Sequence, residues 1–125
     1  IYAHCGGREA MGRATGQGIA PSVIVKMVRL LGGDYFRAGM FESYLVDTEE
    51  DILSMHNAAR SDWCPKTPLL PAISGGLNPR TVAANVRRLG VDNLYLAGTG
   101  VFENPEGPKA GVEALKRAAA EALSG

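Results

Sequence analysis

Cysteine is scarce in this sequence. Cys5 and Cys64 are its two thiols, far apart, with no CxxC spacing and no histidine cluster beside either. That argues against a zinc site or a disulfide framework and for a reducing, cytoplasmic setting. Surplus charge of one sign is absent too. Thirteen basic and thirteen acidic side chains cancel, so no field draws the chain to nucleic acid or to anionic lipid. No apolar run reaches transmembrane length, and no signal peptide with a basic leading region is present, so no membrane partner is expected. An initiator methionine is also lacking. The chain begins at Ile1 inside an apolar segment, which reads as part of a longer polypeptide. What is present is an ordinary globular composition, 46% hydrophobic and 21% charged over 125 residues, enough for one core.

Four short apolar runs are each followed by a helical pattern. "IYAHC" (1–5) is the first; after a Gly/Arg-rich stretch from Gly6 to Gly18 comes "PSVIVKMVRLLGG". There Pro21 suits a first helical turn, Val23, Met27 and Leu30 share one face, and Gly32 is a fitting stop. "YFRAGMF" (35–41) reads as a second strand running into a loop. Thr48 then offers an N-cap with Asp51 three residues on, and Ile52, Met55 and Ala59 continue an apolar face. "PLLPAIS" precedes "NPRTVAANVRRLG", where Val82, Val86 and Leu89 recur at helical spacing. "NLYLAG" precedes an alanine-rich helix from Gly111 to Leu123, with Val112, Leu115 and Ala119 on one side. The alternation predicts parallel β/α units, covered by helices on the outside. Four such units make half of a TIM (β/α)8 barrel. A flavodoxin-like open sheet is the competing fold and normally holds five strands.

The stretch "PAISGGLNP" (71–79) raises the functional question. Two glycines at a strand end serve a tight turn, since glycine tolerates positive φ, or they bare backbone N–H groups to an anion. The fourth unit ends in "AGTGVFENPEG", which puts a second glycine turn at the same rim, and two converging turns favour the anion. Polar side chains mark the strand ends: His4, Arg37, Ser74 and Thr99. An unpaired buried guanidinium at Arg37 is costly, so an anionic partner is expected from ligand or protein. Solvated positions are the default for Arg8 and Arg13, and His56, on an outer helix, carries little functional weight.

"GIAPSVIVKMVRLLGGDYFRAG", "LPAISGGLNPRTV" and "LAGTGVFENPEGPKAGVEALKRA" resemble, in order and spacing, the C-terminal half of the RuBisCO large-subunit superfamily. The resemblance implies that residues 1–125 are strands 5 to 8 of the catalytic barrel, without the first half-barrel and the N-terminal domain. It implies that His4 is the strand 5 active-site histidine, with Cys5 where the family usually has a phosphate-binding arginine. Ser74 is the serine on substrate hydroxyls, and Gly75 and Gly76 form the turn binding the first phosphate. Gly98, Thr99 and Gly100 are that turn's partner, with Thr99 replacing a glycine. Arg37 stands for a second family histidine, Tyr44 for the mobile-loop lysine of carboxylating members, and Asn104 for a frequent histidine.

Without a cation at position 44, nothing here neutralises a carboxylate forming on an enediolate. The chain therefore resembles a RuBisCO-like protein (form IV) more than a true carboxylase. The resemblance implies Mg²⁺-dependent enolisation or isomerisation of a phosphorylated keto compound in a cytoplasmic homodimer, with every metal ligand outside this chain. The catalytic residues it implies are His4, Arg37 and Ser74. The substrate implied has one phosphate at the glycine turns and a carboxylate or smaller polar group facing Arg37 and His4. Alternatives are a genuine ribulose-1,5-bisphosphate carboxylase, a phosphoribosylanthranilate-isomerase-like phosphate barrel, and a half-barrel fragment without activity of its own.

Overall fold

The computed structural model describes residues 1–4, 6–12, 17–45 and 47–124. Cys5 and Arg13, named above, lie outside the described residues. Four parallel strands form one sheet in sequential order, β1 (Tyr2–Ala3), β2 (Tyr35–Arg37), β3 (Leu70–Ile73) and β4 (Leu94–Tyr95). The register pairs Tyr2 with Tyr35, Arg37 with Ala72 and Ile73 with Tyr95. A flavodoxin-like sheet reverses its strand order at a switch point. The unreversed order here is barrel winding instead.

Between the strands run α1 (Arg8–Gly12), α2 (Pro21–Leu30), α3 (Glu49–Arg60) and α4 (Pro79–Leu89), and after β4 come the single turn α5 (Thr99–Phe102) and α6 (Pro108–Ser124). No helix among the described residues is long and apolar enough to cross a membrane. Strand side chains alternate faces. Phe36 and Ala38 pack with Val25, Met55, Ala58 and Ala59 beneath α2 and α3, and Ile73 joins Val82, Val86 and Leu89 beneath α4. The alternate row, Tyr2, Tyr35 and Arg37, turns to the opposite face, where both tyrosines are partly exposed and Arg37 meets Glu9 of the short helix after β1.

Local signals explain the boundaries. Pro21 opens α2, and a Schellman motif closes it: Gly32, at φ +84°, donates to the Arg29 carbonyl at 3.1 Å and Gly33 to that of Val28 at 3.0 Å. Thr48 and Asp51 form the expected capping box of α3. On α4 Asn78 accepts from the amides of Arg80 and Thr81, while Thr81 Oγ1 accepts from Asn78 N–H.

Two helical faces differ from the sequence expectation. Val23, Met27 and Leu30 do share a face of α2, but that face is exposed, and Val25 and Arg29 are the buried pair. The cause is Arg29. Its guanidinium donates to the carbonyls of Ser61 (2.5 Å), Lys66 (2.8 Å) and Thr67 (3.2 Å) and lies over the Trp63 ring. Those bonds orient the helix against the loop after α3, whatever its hydrophobic periodicity. On α6, Val112 is exposed while Leu115 and Ala119 reach the core.

Candidate active site at the carboxyl ends of the strands

The C-terminal ends of the four strands converge on a cavity of about 380 Å³. His4, Arg37, Ser74, Gly75, Gly76, Gly98 and Thr99 all line it, joined by Glu9, Tyr44 and Leu45. Gly100 lies just beyond, in an adjoining hollow with Gly76, Asn78, Thr99 and Asn104. Among the described residues, the sequence-derived site residues therefore lie at this rim or in the hollow beside it. Glu9 was not among them, because it sits on α1, a short helix hidden in the Gly/Arg-rich stretch. An acid five residues after a strand-end histidine was the available signal.

The turn after β3 is held by three side-chain donors. Thr81 Oγ1 and Asn78 Nδ2, at the α4 cap, donate to the Gly76 carbonyl at 3.1 and 3.3 Å. From above, Ser43 Oγ donates to the Gly75 carbonyl at 2.9 Å. Gly75 and Gly76 have φ of +125° and +97°. A Cβ on Gly75 would collide with Ser43 Oγ and lie 2.8 Å from Leu45 Cδ1; one on Gly76 would lie 3.1 Å from Tyr44 Cδ1. The glycine pair is thus required by its backbone and by the 43–45 loop packed on it. The packing of this loop on the glycines was not visible in the sequence.

The turn after β4 rests directly on the turn after β3. A Cβ on Gly100 would run into the Leu77 carbonyl oxygen and lie 3.1 Å from Asn78 Cα. Thr99 and Gly100 open α5, where first-turn amides have no intrahelical acceptor. Such amides next to glycine N–H groups suit an oxyanion.

The loop after β2 is anchored at both ends. Asn85, fully buried, accepts from Phe41 N–H at 2.9 Å and donates to the Phe41 carbonyl at 3.0 Å. At the other end Asp47 receives two bonds from Arg8 Nη2, at 2.7 and 2.9 Å. Arg8 is 3% exposed, not solvated as expected, because this pairing compensates its desolvation. Arg37 has the anionic partner its burial demanded, and the protein supplies it. Nη1 donates to Glu9 Oε1 at 3.3 Å and Nε to Ser74 Oγ at 2.9 Å. His56, expected only to lie on an outer helix, is in fact buried, with neither ring nitrogen in a hydrogen bond. Burial pushes its pKa down to about 4.

The family model for the ribulose bisphosphate carboxylase large chain, catalytic domain, matches residues 1–125. The chain belongs to the RuBisCO large-chain family. It is 32% identical to the ribulose bisphosphate carboxylase of Pyrococcus abyssi over all of this chain and 30% of that protein. It is 30% identical to the 2,3-diketo-5-methylthiopentyl-1-phosphate enolase of Geobacillus thermodenitrificans, over all of this chain and 30% of that enzyme. In structure it resembles the octameric Rubisco of Pyrococcus horikoshii in complex with sulfate. That match has a TM-score of 0.90 at 31% identity and covers 99% of this chain and 29% of that one. The chain thus spans about three tenths of the length of these RuBisCO-family relatives. The match replaces the phosphoribosylanthranilate-isomerase alternative. Among the described residues no group of three or more His, Cys, Asp or Glu could hold a metal ion. The described side chains therefore offer no three-ligand donor set for a magnesium ion.

Proposed function

We propose that residues 1–125 form strands 5 to 8 of the barrel of a RuBisCO-like enzyme that enolises or isomerises a keto compound carrying a single phosphate. One observation carries this reading: the two glycine turns are in contact and open on the cavity that also holds His4, Arg37 and Ser74. In it, the amides of Gly75, Gly76, Thr99 and Gly100 hold the phosphate. Ser74 Oγ accepts from Arg37 and keeps its own hydrogen to donate to a substrate oxygen. His4, which lines the same cavity, accepts and returns the proton moved next to the carbonyl, a task suited to imidazole. Any metal that assists is held by residues outside this chain.

Identity does not separate carboxylase from enolase, since the relatives of both kinds stand at 32% and 30%. Position 44 does. Tyr44 lies over Gly76 at the cavity wall, and a phenol brings no positive charge to a forming carboxylate. The named enolase relative acts on a compound with one phosphate, in keeping with this reading.

The test is on the complete polypeptide with ribulose 1,5-bisphosphate and labelled CO₂, and with monophosphorylated ketoses in D₂O. Exchange of the proton next to the carbonyl, without fixation of CO₂, is expected. Sustained CO₂ fixation on the bisphosphate would refute the assignment.

A further inference from the structure

A guanidinium at one end of a phosphate-binding cavity suggests a second anion site. The charges around Arg37 argue otherwise. Glu9 Oε1 lies 3.3 Å from Arg37 Nη1 and 3.8 Å from Arg8 Nη2. Arg8 is already matched by Asp47, at 2.7 and 2.9 Å. Among the described residues this ion-paired group therefore holds two cations and two anions, and Glu9 is the charge that neutralises Arg37. Its own backbone amide, and then Arg8 and Arg37, hold the Glu9 carboxyl below the usual carboxylate range against the opposing effect of burial, so it stays ionised near neutral pH.

An anion brought to Arg37 would also meet the Glu9 carboxylate, 3.3 Å from the same guanidinium. Arg37 and Glu9 side chains are 8% and 20% exposed, so the repulsion is poorly screened. An uncharged hydroxyl or carbonyl oxygen meets no such penalty. We infer that Glu9 is a specificity-determining residue. It makes the β2 end of the cavity a neutral polar subsite, so that the substrate carries its one anionic group at the glycine turns and an uncharged, oxygen-bearing end at Arg37. Specificity then comes from the repulsive element as much as from the attractive one. The inference rests on the phosphate reading of the glycine turns and narrows it, since a carboxylate facing Arg37 is now disfavoured.

The experiment is binding to the complete polypeptide of inorganic phosphate, ribulose 5-phosphate and ribulose 1,5-bisphosphate. Wild type, Glu9→Gln and the charge-retaining Glu9→Asp are compared. In wild type the second phosphate should add no affinity. In Glu9→Gln the bisphosphate should gain about tenfold or more over the monophosphate, while Glu9→Asp keeps the wild-type ratio. A folded Glu9→Gln protein with an unchanged ratio overturns the inference and leaves the phosphate reading standing. A wild-type preference for the bisphosphate of tenfold or more also overturns it, and needs no variant to fold. Failure of all three probes to bind wild type overturns the phosphate reading itself.

Discussion

Burial sets the protonation of His56, and with it a pH dependence of stability. The imidazole is 4% exposed on α3, and its pKa falls from 6.5 to about 4 because the charged form is desolvated. In the unfolded chain the ring takes up a proton near pH 6.5; in the folded one it resists until about pH 4. Between those values the unfolded state binds more protons, so stability falls as pH falls. The loss over that window is about 3 kcal/mol. Denaturant titrations of the complete protein from pH 7 to 4 should show this slope, and His56→Leu should flatten it. Glu9 acts in a different window: its lowered pKa contributes stability above about pH 4.5 that is lost only at lower pH. An equal slope in wild type and His56→Leu would show that other groups carry the dependence.

At the scale of elements, α4 does two jobs with one cap. Thr81 Oγ1 accepts from Asn78 N–H at 2.9 Å and donates to the Gly76 carbonyl at 3.1 Å, so the helix start and the glycine turn share a hydroxyl. Thr81→Val keeps the shape and removes both bonds. It should cost about 1–2 kcal/mol in denaturant unfolding, and Thr81→Ser should recover most of that. A neutral Thr81→Val would mean that the turn is held by other contacts. The Asn78-Pro79 start of this helix was legible in the sequence, as were the Thr48 box and the order of strands and helices, because caps and alternation are local signals. The buried face of α2 was not. It depends on Arg29 reaching carbonyls more than thirty residues away, which no window of α2 contains. Arg8 was misread for the same reason: its partner Asp47 lies 39 residues on. The strand-end positions of His4, Arg37, Ser74 and Thr99 were legible because β/α alternation fixes where strands stop. Glu9 was hidden because its role exists only once α1 folds back over β2.

Across the whole molecule, the sheet ends at β1 and β4 with one edge of each strand unpaired among the described residues. Such edges are normally covered or closed. Leu31, Phe102 and Met27 are 82%, 74% and 54% exposed, apolar side chains that further chain could cover. Both features support our proposal that this segment completes a barrel with further chain. The central claim is narrower: the turns after β3 and β4 act together on one phosphate. Backbone amide spectra of the complete protein, labelled with ¹⁵N-glycine and titrated with inorganic phosphate, address it directly. Gly75, Gly76, Gly98 and Gly100 should shift together along one saturation curve, while Gly32 and Gly90, in turns remote from the cavity, stay in place. Shifts at one turn without the other, or at neither, would contradict it.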